Sequence, residues 1–227
     1  MEGSFLTIAN SPSSKIVRRR SIFKGFMSHV SNRQEAETFF NLIKSKNKGA
    51  AHNVLAYTIF ETNEAYCSDD GEPSKTAGEP VLNVLKSSGV FNVCVVVTRY
   101  FGGVLLGTGG LVEAYSSACK AIFQNVEYAK CCFCAKARFF VNYSAYAKLQ
   151  FLLNSFKIHI INVDFAIEVA VTFLIEFCKF EEFEFAARRR LGFDFSCEIL
   201  EKSWNRLEIT QEEVENFKSR GRKINKQ

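Results

Sequence analysis

In Asn92-Val93-Cys94-Val95-Val96-Val97-Thr98 the five residues Val93 to Val97 are apolar on both faces, the pattern of a central, fully covered strand, which makes it the clearest strand in the chain. Arg99 and Tyr100 stand at its carboxyl end. Phe101-Gly102-Gly103 then opens a loop that closes on Gly107-Thr108-Gly109-Gly110. Beyond it Val112, Tyr115, Cys119, Ile122 and Val126 step by three, four, three and four, which predicts an amphipathic helix. Upstream, Glu79-Pro80 starts another helix, with Pro in its first turn, Val81, Leu82 and Leu85 inward, and an end at Ser87-Ser88-Gly89.

Further back, His52 to Phe60 reads as a largely buried strand and Asn63 as the turn into a short strand, Ala65 to Cys67. Lys15 to Val30 suits one or two strands, and Ser31-Asn32 caps a helix carrying Ala36, Phe39, Phe40 and Ile43 on one side. Residues 15–129 are thus expected to form one mixed domain, after an N-terminal segment, 1–14, with a short apolar run at Phe5 to Ile8. Around Glu127 to Lys130 the pattern turns polar and a second domain is expected over 130–205. Its predicted order is a strand (Phe133 to Val141), a helix (Ser144 to Phe156), two strands turned at Asn162 to Asp164, a helix (Lys179 to Leu191) and a strand (Phe193 to Leu200). That is the βαββαβ, ferredoxin-like order. Residues 206–227 are expected to be a charged tail, helical at first and then mobile, without an apolar face. The fold class is α+β.

The chain has 227 residues, 47% apolar and 23% charged, with 23 Phe, a composition that excludes disorder and favours dense packing over two domains. No run reaches the roughly 20 apolar residues of a membrane span, and Met1 to Ser14 lacks a signal peptide's basic start and apolar centre. A cytoplasmic protein without a membrane partner is expected, its eight Cys reduced and mostly buried. The net charge of +5 gathers at Arg18-Arg19-Arg20, Arg188-Arg189-Arg190 and Lys218 to Lys226, which is compatible with, but weak support for, a nucleic-acid partner.

Ser68-Asp69-Asp70-Gly71-Glu72-Pro73 sets three carboxylates in four positions and must be a loop, since adjacent unpaired carboxylates are too costly to bury in a strand. Asp69, Asp70 and Glu72, with His52, could serve as an acid/base or cation site. Alternatively they brace the structure through turns, the following helix start and Arg99. The sequence favours the brace, because no second ligand set with recognisable spacing is present. Gly102, Gly103, Gly107, Gly109 and Gly110 lead into a helix N-terminus whose free amides suit an anion, although neither a P-loop nor a dinucleotide fingerprint is present. Arg99 beside Tyr100 and Phe101 could pair with a phosphate and stack a base; equally, Arg99 could pair with the acidic loop over core aromatics. Cys131-Cys132-Phe133-Cys134 holds one Cys-x-x-Cys and is read as strand packing. No cofactor and no metal centre are expected.

His52-Asn53, Ser68 to Pro73, Thr76-Ala77-Gly78-Glu79-Pro80 and Val95 to Tyr115 together closely resemble the Impact/YigZ family over about residues 15 to 125. The resemblance is to the bacterial two-domain type. It implies an N-terminal domain similar to domain 2 of ribosomal protein S5 and a C-terminal domain similar to domain V of elongation factor G. Eukaryotic members carry a preceding RWD domain, for which 1–14 leaves no room, and act in translational control. One departure is Lys75, where the family usually has Gly; a positive φ there would strain Lys and add a cation beside the carboxylates. The reading is a binding protein rather than an enzyme, its partner RNA, the ribosome or a protein of translational control. The alternative is a metal-assisted hydrolase or phosphotransferase built on His52 and Ser68 to Pro73.

Overall fold

The computed structural model describes residues 3–192 and 195–224, with backbone alone from 220. The chain forms two compact units, one of Phe5–Lys130 with the residues from Arg206 onward, the other essentially Cys131–Asn205.

In the first unit the strands are β1 (Ser4–Ile8), β2 (Ser13–Arg18), β3 (Ser21–His29), β4 (His52–Ile59), β5 (Glu64–Ser68) and β6 (Val93–Tyr100). The helices are α1 (Arg33–Lys46), α2 (Gly78–Ser88) and α3 (Gly107–Ile122). The antiparallel sheet runs β2-β3-β6-β4-β5, so the apolar 93–98 stretch is central. Side chains alternate across it. Phe23, Met27, Val54, Ala56, Val95 and Val97 meet α2 and α3 on one face, while Leu55, Tyr57, Cys94 and Val96 meet α1 on the other. The cap at Asn32 is as expected, its side chain accepting from Glu35 N at 2.9 Å while Glu35 accepts from Ser31 N at 2.8 Å. β1 joins this unit through a parallel bridge, Leu6 to Val90.

The charged segment after Trp204 differs from expectation. Gln211–Ile224 is a helix, α6, whose Val214 is buried in the first unit's core with Ile209 and Phe217 packed beside it. Two apolar residues three apart, Val214 and Phe217, make a face too narrow to stand out among so many charges. Residues 225–227 of the expected tail lie outside the described ones.

The second unit has the element order β7 (Tyr128–Val141), α4 (Tyr143–Ser155), β8 (His159–Phe165), β9 (Val169–Glu176), α5 (Phe177–Leu191) and β10 (Glu198–Glu208), in which β7 pairs with both β9 and β10, and β9 with β8. Phe139, Phe173 and Phe183 fill its core beneath α4 and α5. The β8–β9 turn sits at Ala166 to Glu168 rather than at Asn162 to Asp164. The last strand begins later than Phe193, two residues of which, 193 and 194, lie outside the described ones. Phe195 is drawn into the core against Phe139, and the strand starts only after it. None of the eight cysteines is in a disulfide. Cys131 and Cys134 fall on opposite sides of β7, and it is Cys132 and Cys134 that approach, at 3.5 Å. No described helix is long and apolar enough to cross a membrane.

Candidate functional site

β4 and β6 pair with His52 opposite Arg99, so both side chains emerge on the α2/α3 face at the end of the central strand. The acidic loop returns to that point. Asp69 takes backbone hydrogen bonds from Lys75 N (2.9 Å), Ala77 N (3.1 Å) and Gly78 N (2.7 Å), and so caps α2 from nine residues upstream. Burial pushes the Asp69 carboxyl up, but the three backbone donors from Gly78, Lys75 and Ala77 outweigh it and leave its pKa below the ordinary carboxylate value. Gly78 must be Gly, because a Cβ there would lie 2.9 Å from the Ser68 carbonyl carbon.

Asp70 accepts from Asn53 N at 2.6 Å and lies 3.7 Å from Lys44 Nζ. Its backbone carbonyl meets His52 Nδ1 at 2.8 Å; since a carbonyl only accepts, Nδ1 holds the proton. His52 Nε2 lies 3.9 Å from Glu72.

Glu72 is the buried centre. Arg99 Nη1 donates to both its oxygens, at 2.8 and 3.0 Å, and Tyr115 Oη of α3 donates at 2.7 Å. Burial, then the bond to Glu72, pushes the Tyr115 hydroxyl far above the ordinary tyrosine range, so it stays a donor. Arg99 is only 6% exposed, its guanidinium 5.7 Å from the Phe23 ring and 5.5 Å from the Phe101 ring, and its Nε has no partner. A buried pair with a third hydrogen bond is a structural lock: either partner left alone would be an uncompensated charge.

A cleft of about 540 Å³ opens over this lock, lined by His52, Glu72, Arg99, Phe101, Leu105 and the first turn of α3 at Gly107 and Thr108. Phe101 is 52% and Leu105 80% exposed, so the rim is apolar. A second, polar depression lies on the other side of His52, among Lys44, Lys48, Asn47 and Asp70.

The structure therefore brings His52, Glu72 and Arg99 together and separates them from Tyr100. Tyr100 points to the α1 face, where its hydroxyl donates to Asn47 at 2.8 Å and Lys24 Nζ lies 4.9 Å from its ring. Gly102 packs on the Arg20 backbone, Gly103 and Gly107 have positive φ, and Gly109 and Gly110 lie in the first turn of α3. The three carboxylates serve three separate tasks, and among the described residues no group of three His, Cys, Asp or Glu is placed to hold a metal. Tyr115 was visible only as a core position; the hydroxyl that a buried Tyr must satisfy is the signal that points to its role. Arg188 and Arg190 bond to the carbonyls of Phe195 and Lys148 at an end of α5.

Lys75 has φ of 64°, the left-handed region in which a side chain is strained. Lys75→Gly is expected to stabilise the protein by up to about 1 kcal/mol, the relief of strain being partly offset by glycine's freedom in the unfolded chain. Urea denaturation of the two proteins measures it; a destabilised glycine variant would show that the side chain contributes more than the strain costs.

A profile of the Impact N-terminal domain matches residues 19–123. The chain is 30% identical over 203 residues to an IMPACT family member of Haemophilus influenzae, covering 86% of this chain and 91% of that protein. It is 45% identical over 116 residues to the IMPACT family member YvyE of Bacillus subtilis, a match to 51% of this chain and only 54% of YvyE. A crystal structure described as a hypothetical protein superposes with a TM-score of 0.59 at 27% identity, covering 93% of this chain and 99% of that one.

Proposed function

The chain belongs to the IMPACT family, and on that premise we propose that it is a cytoplasmic binding protein acting in translation or its regulation, with RNA as the partner held at the cleft over Arg99. The observation that carries this reading is Phe101, a half-exposed ring lying on a buried guanidinium at the mouth of a cleft walled by a helix N-terminus. Exposed rings stack bases without regard to sequence, and amides at a helix start suit phosphate oxygens. The Arg99–Glu72 lock serves as the brace beneath this surface. We read the two units as the S5 domain 2-like and ferredoxin-like domains that the family resemblance implies; for the second, the pairing of β7 with both β9 and β10, and of β9 with β8, supports it.

Phe101→Ala is expected to weaken binding of single-stranded RNA about tenfold, the stacking of one base, and to leave the melting temperature nearly unchanged because the ring is half outside. Fluorescence anisotropy with a labelled oligouridine reads the affinity. Equal affinity of the two proteins would remove the cleft from the interface.

A further inference from the structure

β2 and β3 are joined by a two-residue turn. Arg18 pairs with Ser21, and Arg19 (φ 43°) and Arg20 (φ 69°) both lie in the left-handed region. This is the type I′ geometry, for which Asn-Gly is the favoured filling. Here both strained positions carry arginine. All three of Arg18, Arg19 and Arg20 are exposed and none makes an ion pair among the described residues, so the cations contribute nothing visible to the fold that would offset the strain. Strain that persists without a structural return marks a place where side-chain chemistry is being kept for something else.

The sheet behind the tip points the same way. α1 covers β4 and β6 on its face, but on β2 that face stays open, with Lys15 and Val17 exposed. Lys15 stands directly opposite Lys24 across the strands, a like-charge pairing that a sheet ordinarily avoids, and Lys24 leans over the ring of Tyr100. The tip also touches the cleft loop, since Gly102 lies so close to the Arg20 backbone that no Cβ would fit.

We propose that the β2–β3 hairpin tip, with the open face of β2 and the Lys24 side chain of β3 behind it, is a second binding surface, separate from the cleft, for the phosphate backbone of single-stranded RNA. Cations spaced along the hairpin, one of them over an aromatic ring, suit a chain that alternates phosphates and bases, whereas an acidic protein surface would use the charges and not the ring. The inference rests on RNA being the partner at the cleft.

The test is the double variant Arg19→Asn/Arg20→Gly in the full chain, titrated with oligouridine between about 50 and 200 mM salt. It installs the favoured turn and removes two cations. We expect a higher denaturation midpoint together with about tenfold weaker binding and a log–log salt slope shallower by about 1.4, two phosphate contacts at roughly 0.7 each. Loss of affinity together with the higher midpoint cannot come from a general weakening of the fold. Unchanged affinity and slope, with Phe101→Ala still impaired, would overturn the hairpin surface and leave the cleft standing. Wild-type protein that does not bind RNA would overturn both. Displacement of the RNA by a poly-glutamate peptide at matched charge would overturn the choice of RNA over an acidic protein.

Discussion

Glu72→Ala is expected to destabilise the first unit by about 3–5 kcal/mol, the cost of leaving one member of a buried ion pair alone. Arg99 is 6% exposed and donates both of its hydrogen bonds to Glu72, so removal of the carboxylate strands a full positive charge between the rings of Phe23 and Phe101. Tyr115, fully buried, loses its acceptor in the same step. Glu72→Gln keeps an acceptor oxygen and should cost less. The double variant Glu72→Ala/Arg99→Met should recover a large part of the loss, since an apolar pair replaces a charged one in the same space. Chemical denaturation of the three variants against wild type measures these costs. A Glu72→Ala protein within about 1 kcal/mol of wild type would mean that water reaches Arg99 and that the lock is not one.

The second large effect is expected at Gly102. A Cβ there would lie 2.1 Å from the Arg20 carbonyl carbon, 2.2 Å from its oxygen and 2.4 Å from Ser21 N. All three are backbone atoms, so no rotamer change relieves the clash. Gly102→Ala must push the β2–β3 tip away from the cleft loop, and we place its cost at the upper end of the overpacking range, about 3 kcal/mol. It should also lower RNA affinity, because the tip and the cleft part company. Gly109→Ala is the control, since nothing lies within 4 Å of the added methyl. Thermal melts of both separate a steric requirement from a general intolerance of the loop.

Much of the fold was legible because the apolar 93–97 run admits only one environment, and the cap at Asn32 and the first-turn proline at Pro80 are local chemistry. The same holds for the strain at Lys75. What was not legible depends on distance in space. That Arg99 would pair with a carboxylate of the acidic loop was readable; that Glu72 rather than Asp69 or Asp70 would be the partner was not, because all three sit within four positions. Likewise Tyr100 follows Arg99 directly, yet strand alternation sends it to the opposite face of the sheet. The packing of α6 turned on two apolar residues in a charged helix, and the displaced start of β10 on one Phe that the core claims first.

The most direct test of the account is the salt dependence of RNA binding by the unaltered protein. Oligouridine affinity measured from about 50 to 200 mM salt should fall steeply and linearly on a log–log scale, by roughly 0.7 per phosphate contacted. No detectable association at the lowest salt would contradict the account.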